Sequence, residues 1–217
     1  MSQARAAIWD MDGVLVVSAD FHYEAWIQVL KDYALAMSRE QFEQTFGMNN
    51  RNLLRRLYND RLSMEQIEEI ANRKEAAYRQ LIKGRVEPLP GVRDWLTRLA
   101  QAGWRQAIAS SGPMANIAAI ASELDLWWAF DAVLSGARLP RSKPDPAIFL
   151  QAAAALGVEP ARSVVIEDGT VGIEAARRAG MRSIAVTTTH PAEELKAADL
   201  VVDRLDHLPT DAFDRLV

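Results

Sequence analysis

Cysteine is absent from this sequence, which excludes both a disulfide framework and a thiolate metal site. A surplus of positive charge is absent too. Lys and Arg number 25 against 29 Asp and Glu, for a net charge of −4, which argues against a general nucleic-acid binder. No stretch approaches the roughly 20 apolar residues that a membrane helix requires. Arg5 and Asp10 bracket the first apolar residues, so the start does not read as a signal peptide. Internal repeats and low-complexity segments are missing. What is present is ordinary for a soluble globular protein, with 49% hydrophobic and 25% charged residues in a chain of 217. That length supports one good core plus a smaller appendage. The expectation is a cytoplasmic protein, a monomer or weak homo-oligomer, without a nucleic-acid or membrane partner.

Apolar runs of strand length recur at Ala6–Trp9, Ala107–Ala109, Ala132–Leu134, Val164–Ile166, Ile184–Val186 and Leu200–Val202. They are short and lack polar alternation, as strands covered on both faces of a parallel sheet do. Helical segments lie between most of them. Gly91–Ala102 carries Val92, Trp95, Leu96 and Leu99 on one stripe and stops at Gly103. Asp145 reads as an N-cap with Pro146 at the first helical position, and that helix stops at Gly157. A further helix runs from about Val171 to Ala179 and ends at Gly180. The alternation predicts an α/β, doubly wound parallel-sheet core of Rossmann-like type. The adjacent Trp127 and Trp128 are expected in the core.

Residues from about 18 to 84 break this rhythm. Phe21, Ala25, Trp26, Val29 and Leu30 form a helical stripe, and Ser38-Arg39-Glu40-Gln41 and Ser63-Met64-Glu65-Gln66 both match the capping box. An all-helical cap over 18–84 is therefore predicted, inserted into a core made of 1–17 and 85–217, with Glu87-Pro88-Leu89-Pro90-Gly91 as the return linker. A module inserted there is well placed to act as a lid that excludes water on closing.

The first strand run ends in Asp10-Met11-Asp12-Gly13-Val14-Leu15. One carboxylate there can attack while the other trades protons, and a divalent cation can bridge them. Gly13 lets the chain turn close to a ligand. Three other segments fall where such a sheet places ligands, beyond the carboxyl ends of strands. Ser110-Ser111-Gly112-Pro113 combines hydroxyls with free N–H groups at a helix start, a cradle for phosphate. Lys143 stands between prolines' restraints in Ser142-Lys143-Pro144-Asp145-Pro146. Glu167-Asp168 ends the strand run Val164–Ile166 and is followed by Gly169 and Gly172. If Asp10, Asp12 and Asp168 lay about 4 Å apart, each pair would repel by about 4 kcal/mol at an effective dielectric of 20. Mg²⁺, a hard cation suited to a few carboxylates plus water and phosphate, meets that need. Lys143 would neutralise nucleophile and phosphoryl oxygens while Ser110 positions the latter.

Taken together, DMDGVL at Asp10–Leu15, ASS at Ala109–Ser111, SKPDPAIF at Ser142–Phe149 and EDGTVGIEAARRAG at Glu167–Gly180 resemble the haloacid dehalogenase superfamily. The likeness is to the subfamily with a helical cap after its first motif, which includes sugar-phosphate phosphatases and β-phosphoglucomutase. The resemblance implies that Asp10 is the nucleophile, forming an aspartyl phosphate, and that Asp12 is the general acid and base. It implies Mg²⁺ held by Asp10, the Asp12 main-chain carbonyl and Asp168, with Glu167 directly or through water. Many relatives carry Ser after the acidic pair, where Gly169 stands here. In the cap, His22 resembles a family histidine near the acid/base aspartate. Gly47-Met48-Asn49-Asn50-Arg51 resembles the specificity loop, in which Arg51 would grip a distal phosphate. Ser111 and Gly112 would line the substrate.

The reading that follows is a Mg²⁺-dependent phosphomonoesterase acting on a small phosphorylated metabolite of the sugar-phosphate class. The alternative is a β-phosphoglucomutase-like phosphohexomutase, although Gly47 to Arg51 is one residue longer than the mutase spacing. A silent binding or regulatory member is a further alternative, set against intact Asp10, Asp12, Lys143 and Asp168. Halide displacement would not use the second carboxylate, and phosphonate cleavage would need a cap lysine that Phe46–Leu54 lacks. His190 and His207 are given no role.

Overall fold

Ala6–Trp9 forms strand β1 with all of its residues buried, because helices cover both faces of the sheet it enters. The structure, a computed structural model, describes residues 4–217. The other strands are β2 (Arg105–Ser110), β3 (Ala132–Ser135), β4 (Ser163–Glu167), β5 (Arg182–Val186) and β6 (Leu200–Val202). All pair in parallel in the order β3-β2-β1-β4-β5-β6. Every predicted strand is present, lengthened by one to two residues at some ends.

The helices are α1 (Ala19–Leu30), α2 (Arg39–Glu43), α3 (Asn50–Tyr58), α4 (Met64–Ile82), α5 (Val92–Gln101), α6 (Met114–Glu123), α7 (Ala147–Leu156) and α8 (Thr170–Arg178). Alternating side chains of β1 divide between two apolar layers. Ala7 and Trp9 pack with α5 and α6, and Ala6 and Ile8 pack with α7 and α8. The doubly wound α/β core is thus as expected. Helix α7 begins at Ala147 with Pro146 as its cap residue, one position later than the sequence suggested. The Asp145 carboxylate still accepts the Ala147 N–H at 3.1 Å.

Helices α1 to α4 lie in the chain between β1 and α5 and carry an apolar cluster of their own, built on Trp26, Leu30, Phe42, Leu54, Ile67 and Ile70. Both capping boxes are formed: Ser38 with Gln41, and Ser63 with Gln66. The chain leaves the sheet and returns to it side by side, with Val16 bridged to Pro88 and the Leu89 N–H donating to Leu15 O at 3.0 Å. No helix among the described residues is long and apolar enough to cross a membrane.

Trp127 and Trp128 are a correction to the sequence reading. They are 43% and 53% exposed, on a 3₁₀ turn whose indole N–H groups donate to Ser122 Oγ and Asp125 O. The turn directs both rings outward, and Leu126 and Ala129 take the buried positions instead. The aromatic core is elsewhere. Phe213 packs against Trp9, Trp95 and Trp104 at centroid distances of 6.3, 5.0 and 5.6 Å. The Trp9 N–H is satisfied by Gln106 Oε1 at 3.1 Å. Removing this wedge with Phe213→Ala should lower unfolding free energy by about 3–5 kcal/mol, read from urea titration. A loss under ~1 kcal/mol would show that the wedge is dispensable.

Candidate active site

Strand order turns at β1, which has β2 on one side and β4 on the other. Ligands of open α/β sheets bind in the crevice that forms there, beyond the strands' carboxyl ends. Asp10 is the first residue past β1 and stays registered to the neighbouring strand, its N–H donating to Ile166 O at 3.0 Å. Glu167 ends β4, and Asp168 follows it. The turn after Asp10 closes over this pair through Gly13. Its φ is +81°, and a Cβ there would stand 1.8 Å from Asp168 Oδ2. Only glycine fits that approach.

Asp10, Glu167 and Asp168 each offer an oxygen within 4.8 Å of the others, and all three are buried. These are the three side chains of the expected metal set, in which Asp12 would contribute its main-chain carbonyl. Lys143 Nζ bridges Asp10 Oδ1 at 2.7 Å and Glu167 Oε1 at 2.5 Å. Glu167 Oε2 accepts the N–H groups of Asp168 and Gly169, each at 2.9 Å. Asp168 Oδ2 accepts from Thr189 Oγ1 at 2.6 Å. Burial pushes the Asp10 carboxyl up to about 7, against the pull of Lys143 and with the push of Glu167 and Asp12. Burial and the neighbouring Glu167 and Asp10 likewise raise Asp168 well above the carboxylate range. Burial opposes the charge on Lys143, but Asp10 and Glu167 outweigh it and hold the lysine above its ordinary value. Three carboxylates around one ammonium leave the cluster short of positive charge. An oxygen-liganded divalent cation is the chemistry that fits this donor set.

Ser110 is the buried last residue of β2, and its Oγ accepts the Gly112 N–H at 3.1 Å. Ser111 and Gly112 follow and lead into α6, whose cap residue is Pro113. Along with the acidic trio and Lys143 they line a cavity of about 850 Å³ whose opposite wall comes from the helices after β1. Asp12 is on that cavity with its side chain turned away from the trio. It accepts from Ser18 Oγ and faces His22 Nε2 at 3.3 Å. Burial raises the Asp12 pKa, but the His22 and Ser18 hydrogen bonds prevail and bring it below the ordinary aspartate value. His22 is buried, 8% exposed, and not on a helix surface. It stacks on Tyr78 at 3.8 Å and faces Lys74 Nζ through Nδ1 at 2.7 Å. Arg51 is on the cavity wall but away from the carboxylates, paired with Glu68 at 3.2 Å.

Sequence reasoning missed Lys74, Glu75, Tyr78 and Thr189. A cap lysine does line the cavity, on α4 and not within Phe46–Leu54. A Lys-Glu pair inside a polar helix looks like a solvated face, and only its burial distinguishes it. His190, to which no role was given, borders the cavity.

Within α8, Gly172 faces Glu167 so closely that a Cβ would lie 1.8 Å from Oε1. Alanine in place of a helical glycine ordinarily stabilises by up to about 1 kcal/mol. Here Gly172→Ala should destabilise instead and loosen Lys143 by displacing Glu167. A thermal-unfolding midpoint raised by the substitution would contradict the contact.

A profile of the haloacid dehalogenase-like hydrolases matches residues 4–180. The chain is 31% identical over 212 residues to β-phosphoglucomutase of Bacillus subtilis, spanning 94% of this chain and 91% of that one. It is 32% identical over 190 residues to hexitol phosphatase B of Escherichia coli K12, spanning 85% and 84%. Its structure matches that of β-phosphoglucomutase from Clostridium difficile with a TM-score of 0.88 at 27% identity, over 98% of each chain. The profile begins at the first described residue and ends at Gly180, just past the helix that follows the acidic pair. That span takes in Asp10, Asp12, Ser110, Lys143, Glu167 and Asp168, and this chain belongs to the haloacid dehalogenase-like hydrolases.

Proposed function

We propose that the protein is a Mg²⁺-dependent phosphomonoesterase that acts on a small phosphorylated metabolite of the sugar-phosphate class through an aspartyl phosphate on Asp10. The observation that carries this reading is the placement of two differently tuned aspartates on one cavity. Asp10 is bound to Lys143, and Asp12 is turned to Ser18 and His22. The division into a core of 1–17 and 85–217 and a cap of 18–84 is part of the same reading.

In the first half-reaction an Asp10 carboxylate oxygen bonds to phosphorus, and the ester oxygen leaves with a proton from Asp12. In the second, Asp12 takes a proton from water as the water oxygen attacks phosphorus, which frees Asp10 and releases phosphate. The contacts from Ser18 and His22 favour the Asp12 carboxylate and so the second half. Lys143 and the Ser110–Gly112 turn hold the phosphoryl oxygens. Asp10, Asp168 and the Asp12 carbonyl would hold Mg²⁺, with Glu167 anchoring Lys143. When bound, the ion supplies positive charge that draws Asp10 and the phosphoryl group together.

A phosphohexomutase is the second reading, favoured by the B. subtilis relative's name. It would return the phosphoryl group to another hydroxyl instead of to water. Against it, the cap cation that would hold a second phosphate, Arg51, is already paired with Glu68.

Phosphate release from a panel of small phosphomonoesters should require Mg²⁺, stop with EDTA and vanish in Asp10→Asn. Turnover retained in that variant would rule out the nucleophile. Hexose 1-phosphate isomerisation without net phosphate release would select the mutase.

A pH test follows from Asp10. Its raised pKa means that the folded, cation-free chain binds a proton more tightly than the unfolded chain does. The corresponding stability is full below the ordinary value of 3.8 and is lost as pH rises through about 7. Mg²⁺ competes with that proton, so its affinity should climb as pH rises from ~5.5 to ~8, by up to about tenfold per unit. Calorimetry in two buffers should detect the released proton, and a dissociation constant flat over that range would contradict the assignment.

A further inference from the structure

Glu75 is buried on α4 yet has no part in the chemistry above. Side chains from three helices converge on its carboxylate. Oε1 accepts from Lys74 Nζ at 3.0 Å and from Asn50 Nδ2, at the start of α3, at 2.6 Å. Oε2 accepts from Asn116 Nδ2, on the core helix α6, at 2.5 Å. The Asn116 carbonyl in turn accepts from Arg79 at 2.8 Å. A carboxylate buried among three donors keeps its charge, and burial alone would have expelled it.

The neighbour this charge serves is Lys74. Burial disfavours the Lys74 ammonium, and Glu75 is the first opposing influence. The state of Lys74 decides how His22 is protonated. An ammonium has three donors and no acceptor, so at 2.7 Å from Nδ1 it requires that nitrogen to be bare. The ring proton of neutral His22 then sits on Nε2, the atom 3.3 Å from Asp12 Oδ1. A neutral Lys74 could accept instead, which would allow the opposite tautomer and remove a donor from Asp12.

We propose that Glu75 is a positioning residue whose carboxylate keeps Lys74 protonated and so fixes the His22 tautomer presented to Asp12. Its effect on turnover rests on the acid–base role given to Asp12 above, whereas its effect on the imidazole does not.

Long-range ¹H–¹⁵N correlation spectra of the full chain without substrate read the tautomer directly. With three histidines in the sequence, His190→Gln and His207→Gln assign the signals. Wild-type His22 should carry its proton on Nε2 alone. Glu75→Gln, nearly isosteric, should give mixed tautomers. Its kcat on whichever phosphomonoester the panel selects should fall roughly tenfold, with KM within about twofold of wild type. Asn116→Ala cuts the tie to α6 and leaves the Lys74–Glu75 contact, and it should keep the wild-type tautomer. Nδ1 protonation in the wild type would overturn the proposal even if Glu75→Gln failed to fold. An unchanged His22 spectrum in Glu75→Gln would overturn it too. So would Asn116→Ala reproducing the Glu75→Gln spectrum, since Glu75 would then act by docking the helices. Absence of phosphate release from every ester would count against the proposed reaction and leave the imidazole result to be read by itself.

Discussion

The mutual repulsion of Asp10, Glu167 and Asp168 is the constraint around which the rest of the molecule is arranged. Parallel strands must deliver their carboxyl ends to one edge, and pairing β1 directly with β4 puts two acidic termini side by side. Left in water they would stay apart, and in a buried crevice they need a counter-charge. Lys143 reaches in from the loop ahead of α7 to supply part of it. Gly13 and Gly172 give up side chains so that Asp168 and Glu167 can stand where they do. The backbone N–H groups of Asp168 and Gly169 spend their hydrogen bonds on Glu167. The remaining shortfall of positive charge is one that a divalent cation would make good.

A second polar system lies across the cavity, and the two are tuned in opposite directions. Asp10 is raised to about 7 by burial among carboxylates. Asp12, two residues on, is lowered because His22 and Ser18 outweigh its burial. Pairs of acids pushed apart in this way are how one site keeps two protonation roles distinct. The separation comes from direction: the main chain leaves the sheet between them, so one side chain faces the β4 terminus and the other faces α1.

Much of the core was legible because its signals are local. Runs such as Ala6–Trp9 and Val164–Ile166 have no polar alternation, and that property follows directly from burial on both faces. The Ser38 and Ser63 capping boxes are complete within four residues, so their chemistry appears in the sequence whole. Ser110, Lys143 and Asp168 stand out in the sequence because each lies at a strand end or ahead of a helix with glycine or proline within two residues. Lys74 and Glu75 carry no such punctuation. They became visible only through partners 52 and 41 residues away, His22 and Asn116. Trp127 and Trp128 misled for the converse reason, since bulk and apolarity suggest the core while a 3₁₀ turn turns both rings outward.

The paired entry and exit of the helical insert has a consequence for the history of such a chain. Val16 and Pro88 meet across a single bridge, so everything between them closes a loop whose mouth is already shut. Lengthening such a loop costs little, because closure entropy grows only with the logarithm of its length. A different insert could be grafted at that doorway without shifting any strand of the sheet. The sheet that carries Asp10 and the helical insert beside it can therefore vary at separate rates.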